Sequence, residues 1–511
     1  LYDWDSGNYL GEIPEAPHTY NVVGNSNEFQ LTITETTFGG LSQFSSQKGA
    51  LLDYGSLIWV TLQRAKNASE AITVMDELMQ RYGYASNGES FSVGDPNEVW
   101  IMEIMSKGNG ELGSVWVAQK IPDGYVCGHA NQARIRTFKQ NDPETSRFAP
   151  DVIDFARRQG LYNGTDADFS FSDTFDPVSF LGGRMAEIRV WNFFRQVSED
   201  PNFGDKYLDY VKGIDLTNRF PLYIKSKRKI AVNDTFWFMR SHFEDTYFDM
   251  RKDVGSGQWT SAYRARPLFW KNSKGVSYHN ERPIGVQQTA WNLVAQMRSW
   301  MPDTIGTIVW FAVDGTSHSV HVPFYSTISS ISDSWKDEGI QHVDDTQQSS
   351  KVNFKSAWWI TNMVANLVYN RYDDMNPVVQ NKIIQVEAGY FEDVKAMDTR
   401  MLHLLRQGTP KADIVAQLTT FSNTRGDQIV DDWLDFWKSL FFTFRDYDVV
   451  TMSVPKTKMD HPWPHAAENG YPMAWNDVVA DSTGDHYKVP TSFTYSKEDQ
   501  QKLKILSGKG V

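Results

Sequence analysis

Val99-Trp-Ile-Met-Glu-Ile-Met105, then Gly108-Asn-Gly-Glu-Leu-Gly113, then Ser114-Val-Trp-Val-Ala-Gln-Lys120 run in succession near the first quarter of the chain. The middle of this stretch matches GxGxxG. A dinucleotide-binding fold needs that motif between a strand and a helix, so that a helix N-terminus faces the pyrophosphate. Here a second strand-like run follows the glycines. They therefore read as a turn between antiparallel strands, and a nucleotide-binding site is set aside.

Outward from this hairpin the pattern repeats. Ile121-Pro-Asp-Gly124 is a further turn, and Tyr125 to Gly128 a further strand. Upstream, residues 67 to 82 predict a helix, with Asn67 as N-cap, Glu70 at the capping-box position and Gly83 as its end. Residues 20 to 37 predict strand, turn, strand. Phe29, Leu31 and Ile33 alternate with polar residues, and Gly39-Gly40 breaks the run. Downstream, Thr307 to Val313 and His318 to Tyr325 predict a hairpin around Asp314-Gly315. After about residue 355 the character changes. Trp358 to Tyr372, Tyr390 to Arg406 and Asp427 to Thr443 carry helical periodicity. This order argues an α+β fold with sheet-on-sheet layers covered by helices. The division it suggests is a core at 1–355 and a mainly helical region at 356–511 packed on it.

The 511 residues carry a net charge of −13, which disfavours nucleic acid as a partner. No basic amphipathic helix and no bilayer-length apolar stretch is present, so no membrane span is expected. One cysteine, Cys127, excludes an intramolecular disulfide framework and a cysteine zinc site. The scarcity fits an exported bacterial protein, periplasmic or extracellular, with a cytoplasmic one as the alternative. Leu1-Tyr-Asp-Trp-Asp5 is polar and reads as the middle of a domain, not as a signal peptide.

Other motifs are weak. Ser45-Ser-Gln-Lys48 matches SxxK without its companion motifs. His318 and His321, three apart on an expected strand, point to opposite faces. His461 and His465 flank Trp463 in a Pro-rich stretch that reads as a surface loop. No metal and no organic cofactor is expected. Cys127 lies two residues before His129, so a thiol and an imidazole share one face of an expected strand. The plainer reading is a buried small side chain.

Collinear segments then carry a resemblance. They include His18-Thr-Tyr-Asn-Val-Val-Gly-Asn25, Glu35-Thr-Thr-Phe-Gly-Gly40, Asp53-Tyr-Gly-Ser-Leu57, Gly88-Glu-Ser-Phe-Ser92, Asp95-Pro-Asn-Glu-Val-Trp100 and Val117-Ala-Gln-Lys-Ile-Pro-Asp-Gly-Tyr125. Ala130-Asn131, Asn218-Arg-Phe-Pro221, Tyr263-Arg264, Asn280-Glu-Arg282 and Ala295-Gln-Met-Arg-Ser-Trp-Met-Pro-Asp303 follow. In order from about residue 1 to 375, they resemble the bacterial dipeptidase A type of N-terminal nucleophile cysteine peptidase. The resemblance implies the four-layer αββα sandwich shared with penicillin V acylases and bile salt hydrolases. It also implies a chain-terminal cysteine that attacks a carbonyl while its own α-amine acts as base. An α-amine titrates near ~7.7, so it exchanges a proton close to neutral pH.

The nucleophile of such proteins precedes the segment that matches Leu1, together with an early Asp. That piece lies upstream of Leu1, or is a cleaved N-terminal fragment forming a separate chain, or the protein is inactive. Within the chain, the resemblance implies Asn131 as oxyanion donor and Arg264, with Arg266 close enough to blur the alignment, beside the nucleophile. Glu35, Thr36 and His129 are the expected substrate-binding residues, Glu35 facing a substrate ammonium. The expected activity is hydrolysis of dipeptides or short peptides. The alternatives are an N-acyl amide hydrolase and a non-catalytic binding or scaffold protein. Oligomeric state stays open, homo-oligomer included.

Overall fold

The computed structural model describes residues 1–336, 352–452, 464–467, 470–490 and 496–506. Its first core is a seven-stranded antiparallel sheet. In chain order the strands are β1 (Val22–Val23), β2 (Ser26–Asn27), β3 (Thr32–Gly39), β4 (Gly88–Gly94), β5 (Val99–Ser106) and β6 (Ser114–Lys120). A short β7 (Tyr125–Cys127) pairs elsewhere, and β8 (Ser146–Phe148) closes the sheet beside β6. The glycine-rich stretch is indeed a connection between antiparallel β5 and β6, with a short 3-10 turn at Gly108–Gly110.

Period-two alternation gives this sheet two unlike faces. One carries Ile33, Phe91, Met102 and Ile104, all buried, and is covered by two helices. These are α1 (Tyr54–Leu62) and α2 (Ala68–Tyr82). As the sequence predicts, the Asn67 side chain caps α2 by accepting from Glu70 N at 2.8 Å, and Gly83 ends it at φ +75°. The other face is polar where β3, β4 and β5 meet: Thr34, Thr36, Ser90, Ser92 and Glu103 stand side by side.

A second core surrounds a three-stranded sheet of β12 (Trp291–Gln296), β13 (Ile308–Val313) and β14 (Val322–Tyr325), reached after β9 (Tyr223–Lys225), β10 (Phe269–Lys271) and β11 (Ser277–His279). Its apolar cluster includes Phe236, Trp310, Phe324, Ile360, Val364, Ile383 and Trp433. The helices Ala357–Asn370, Tyr372–Arg406 and Lys411–Thr443 contribute to it. The long helix is pinned at depth: Arg240 donates to both Glu387 oxygens, at 3.0 and 2.5 Å, and Arg298 pairs with Asp398.

Three expectations are corrected. The strand expected through Phe29 and Leu31 begins only at Thr32. Asn27 Oδ1 accepts from the backbone of Phe29 and Leu31, and its amide donates to Leu62 and Ala65 carbonyls, so a side chain replaces the ladder there. His318 and His321 are not on a strand. The Arg240 guanidinium takes the carbonyls of Thr316 and Ser319, folding 316–318 into a 3-10 turn, and both imidazoles are buried. The helices after 355 run longer than the periodicity shows, because polar stretches such as 373–389 are helical on the strength of one buried stripe of Met375, Val379 and Ile383. His461 and Trp463 lie outside the described residues. His465 falls on a short strand, Pro464–Ala467, paired with Val449–Met452.

Candidate active site

The segment from Gly128 to Arg136 crosses the polar face of the first sheet, and buried charges hold it there. Glu103, in an otherwise apolar strand, accepts from the backbone N–H of Arg134 at 2.5 Å and of Ile135 at 2.9 Å. Burial pushes its carboxyl up to about 7 against those donors. Arg134 pairs with Glu187 at 2.9 Å, both side chains 1% exposed, and donates to the carbonyls of Gly128, Leu222 and Pro221. Asp176 accepts from Ala133 N and from Gln132 Nε2. A π-helical turn, Gly182–Glu187, leads into the helix Ile188–Val197. Its wide turn presents Glu187 to Arg134 and the Met185 carbonyl to Arg189 Nε.

This scaffold fixes two expected site residues. His129 bridges two strands: Nδ1 lies 2.6 Å from Thr36 Oγ1 and Nε2 2.7 Å from Ser92 Oγ. Burial, and then Arg134, depress its pKa to about 4, so the ring is neutral near pH 7 and one nitrogen donates while the other accepts. Asn131 sits at φ +60°, a left-handed conformation that asparagine tolerates better than most residues. Its Nδ2 donates to the Thr37 carbonyl at 2.5 Å, and its Oδ1 accepts from Arg189 Nη2 at 2.7 Å. The amide is held at both ends, and the second Nδ2 hydrogen has no acceptor among the described residues.

Glu35 stands on the opposite face of β3. It lies against Glu89 of β4, whose Oε1 accepts from Thr37 Oγ1 at 2.7 Å. Burial first, and each carboxyl's neighbour second, raise Glu89 well above the ordinary range, so the pair holds a shared proton. Asp5 adds negative charge nearby and accepts from Tyr54 Oη at 3.0 Å. From Thr34 to Gly39, moreover, the edge of β3 away from β4 has no strand against it among the described residues. Along that edge Ile33 N reaches Asn25 O, and Thr37 O receives Asn131.

The structure thus brings Thr36, His129 and Asn131 to one end of β3, with Glu35 behind. It does not bring Arg264 into direct contact with them: Arg264 is paired with Asp253 at 2.8 Å and donates to Met250 O. Cys127 is not paired with His129. Its thiol donates to Leu222 O at 3.2 Å, and burial pushes its pKa up to about 12, so no thiolate forms there near neutrality. Sequence reasoning missed Arg189, Glu187, Glu89 and Glu103. For Glu103 a signal existed, a lone carboxylate inside the run VWIMEIM. For Arg189, on a helix sixty residues away, there was none.

The sequence profile of Peptidase family C69 matches residues 3–384. This chain belongs to that family. Among curated relatives, the C69 chain is 23% identical over 318 residues to a probable dipeptidase of Latilactobacillus sakei, covering 62% of this chain and 57% of the relative. It is 22% identical over 370 residues to dipeptidase A of Lactobacillus helveticus, covering 70% and 67%. It is 27% identical over 287 residues to probable dipeptidase B of Lactococcus lactis, covering 55% and 52%. The alignments thus span between about half and two thirds of these relatives' lengths. Among the described residues of the C69 chain, no helix is long and apolar enough to cross a membrane.

Chemically, the C69 site offers one free amide hydrogen on an immobilised Asn, a neutral imidazole tied to two hydroxyls, an acidic pair and an open strand edge. The first of these can stabilise a developing oxyanion if that oxygen comes within hydrogen-bond reach.

Proposed function

We propose that this C69 protein is a cysteine-type dipeptidase, and that the observation carrying the reading is the immobilised Asn131 amide beside the open edge of β3. A tetrahedral intermediate places negative charge on the former carbonyl oxygen. An amide already held by Thr37 O and Arg189 donates to that oxygen without reorganising. The nucleophile in this reading is the N-terminal cysteine implied by the resemblance, upstream of Leu1. Its strand pairs with the vacant edge at Glu35–Thr37 and brings the thiol and α-amine next to Asn131. Glu35, with Glu89 and Asp5 around it, is the negative pole for the substrate's ammonium. Thr36 and His129 shape the wall between. The two sheets are then the inner layers of an αββα sandwich. The names of the relatives, dipeptidases all three, agree with this substrate class.

The test is an assay of the full-length protein against a panel of dipeptides and of conjugated acyl amides, before and after iodoacetamide, with N-terminal sequencing of the preparation. Dipeptide cleavage lost on alkylation, with a chain beginning at cysteine, is the expected result. Cleavage of acyl amides alone points to the amide-hydrolase reading. No chain beginning with cysteine, and no cleavage, leaves a binding protein.

A further inference from the structure

Three arginines line one cleft and two more stand on the turn and helix that anchor Asn131, and their pairing is uneven. The cleft is lined among others by Arg264, Arg266, Glu281, Arg282 and Gln287. Arg264 is paired with Asp253, and Arg184 with Glu281 at 2.5 Å. The second of these pairs clamps the segment 280–282 to the π-helical turn, and so sets Arg282 beside Arg189 at the start of the next helix. Arg189, Arg266 and Arg282 have no carboxylate contact among the described residues. Arg189 spends Nε and Nη2 on Met185 O, Ala130 O and Asn131 Oδ1, which leaves Nη1 free. Its pKa falls to about 9 through burial and then the charge of Arg282.

Like charges gathered at a cleft without a counter-ion oppose folding, and an anion entering between them relieves the repulsion. Two guanidinium groups also offer the forked donors that match a carboxylate. The distance from the reaction site is set by covalent geometry. In a dipeptide, C–N, N–Cα and Cα–C bonds separate the scissile carbon from the terminal carboxylate carbon, about 4 Å at most. Each further residue moves the carboxylate about 3.3–3.6 Å away. A dipeptide whose oxyanion sits on Asn131 therefore carries its carboxylate within about 4 Å of the scissile carbon, on the scale of a neighbour bonded to Asn131 such as Arg189, and a longer peptide carries it further out.

We propose that Arg282, with Arg189 behind it and Arg266 across the cleft, binds the free α-carboxylate of a dipeptide whose scissile carbonyl lies against Asn131. The site selects substrates that end one residue after the cleaved bond. This rests on the peptidase reading above, and it makes a binding claim that does not need turnover.

The test uses calorimetry on the full-length protein with a dipeptide isostere whose amide is replaced by –CH2–NH–, as the free acid and as the carboxamide. Wild type is expected to bind the acid about 100-fold more tightly, the size of effect that a close charge pair supplies. Arg282→Ala should shrink that preference to about 3-fold or less, and Arg282→Lys should restore part of it, since a point charge lacks the fork. Arg282 is solvent-exposed, so neither variant removes core packing. Equal binding of acid and carboxamide by wild type, or a preference that Arg282→Ala leaves intact, overturns the proposal. An acid preference through Arg282 in a protein that cleaves no dipeptide keeps the anion site and overturns the peptidase reading instead.

Discussion

Arg189 donates to Asn131 Oδ1 at 2.7 Å, so a residue on a helix sets the orientation of an amide in a loop fifty-eight positions earlier. Asn131→Gly tests that amide without straining the left-handed backbone. The expected outcome is a fall in kcat of about 10²–10³, the range for removing one oxyanion donor, with a small change in KM. Arg189→Met leaves the amide in place but unanchored, and a smaller loss in kcat is expected. Unaltered steady-state kinetics in the glycine variant would remove Asn131 from the reaction.

The Glu35–Glu89 pair makes stability depend on pH. Glu89 has a raised folded pKa, so the native state keeps a proton that the unfolded chain releases above the ordinary carboxyl range. Its contribution is complete below about 4.3, the unfolded value, and is lost as pH rises toward the folded value. Glu89→Gln stays neutral and keeps an acceptor for Thr37 Oγ1. Urea midpoints at pH 5, 7 and 9 should fall less steeply in the variant than in wild type. Parallel lines would mean that no shared proton is present.

Glu103→Leu strands two backbone N–H groups, those of Arg134 and Ile135, beneath the site. An unsatisfied buried donor costs about 1–3 kcal/mol, so a loss of about 2–6 kcal/mol is expected by denaturant unfolding. Activity should fall further than stability explains, because the loop carrying His129 and Asn131 loses its tether. A variant as stable as wild type would show that Arg134–Glu187 suffices to hold the loop.

Arg240 and Glu387 tie the second sheet to the long helix. Burial alone would raise the Glu387 pKa, but Arg240 and His321 outweigh it and hold the carboxyl at about 2. That stability is present above the unfolded value near ~4.3 and is lost as pH falls toward 2. Arg240→Met leaves a buried carboxylate without its cation and should cost about 3–5 kcal/mol. It should also flatten the acid limb of the unfolding curve. An acid limb unchanged in Arg240→Met would assign the acid sensitivity to other carboxylates.

Gly182 faces Gln132: a Cβ there would stand 2.1 Å from Gln132 Oε1 and 3.2 Å from its Cδ. Gly182→Ala must displace an amide that holds Asp176, at an overpacking cost of about 1–3 kcal/mol. Thermal unfolding of the variant checks this, and an unshifted midpoint would mean that Gln132 moves freely.

Much of the fold is legible in the sequence. Alternation in 99–105 and 114–120, with glycines between, specifies paired strands. The cap at Asn67 and the stop at Gly83 specify α2, because these signals act over one turn of chain. The ordered segments from His18 to Asp303 carried the family. The length of the helix Tyr372–Arg406 was not legible, since its buried stripe is narrow and most of its positions face solvent.

The antiparallel α+β character, the family and the candidacy of Asn131, Thr36, His129 and Glu35 are readable from the order of residues alone. Folding alone brings Asp253 to Arg264, sets the Cys127 thiol against Leu222 O, and puts Arg189 on Asn131 while Arg282 has no carboxylate contact among the described residues. The reason is physical. Strand and helix signals are written in neighbours a few residues apart, whereas a side chain's charge state and orientation depend on which distant groups folding brings within about 3 Å of it.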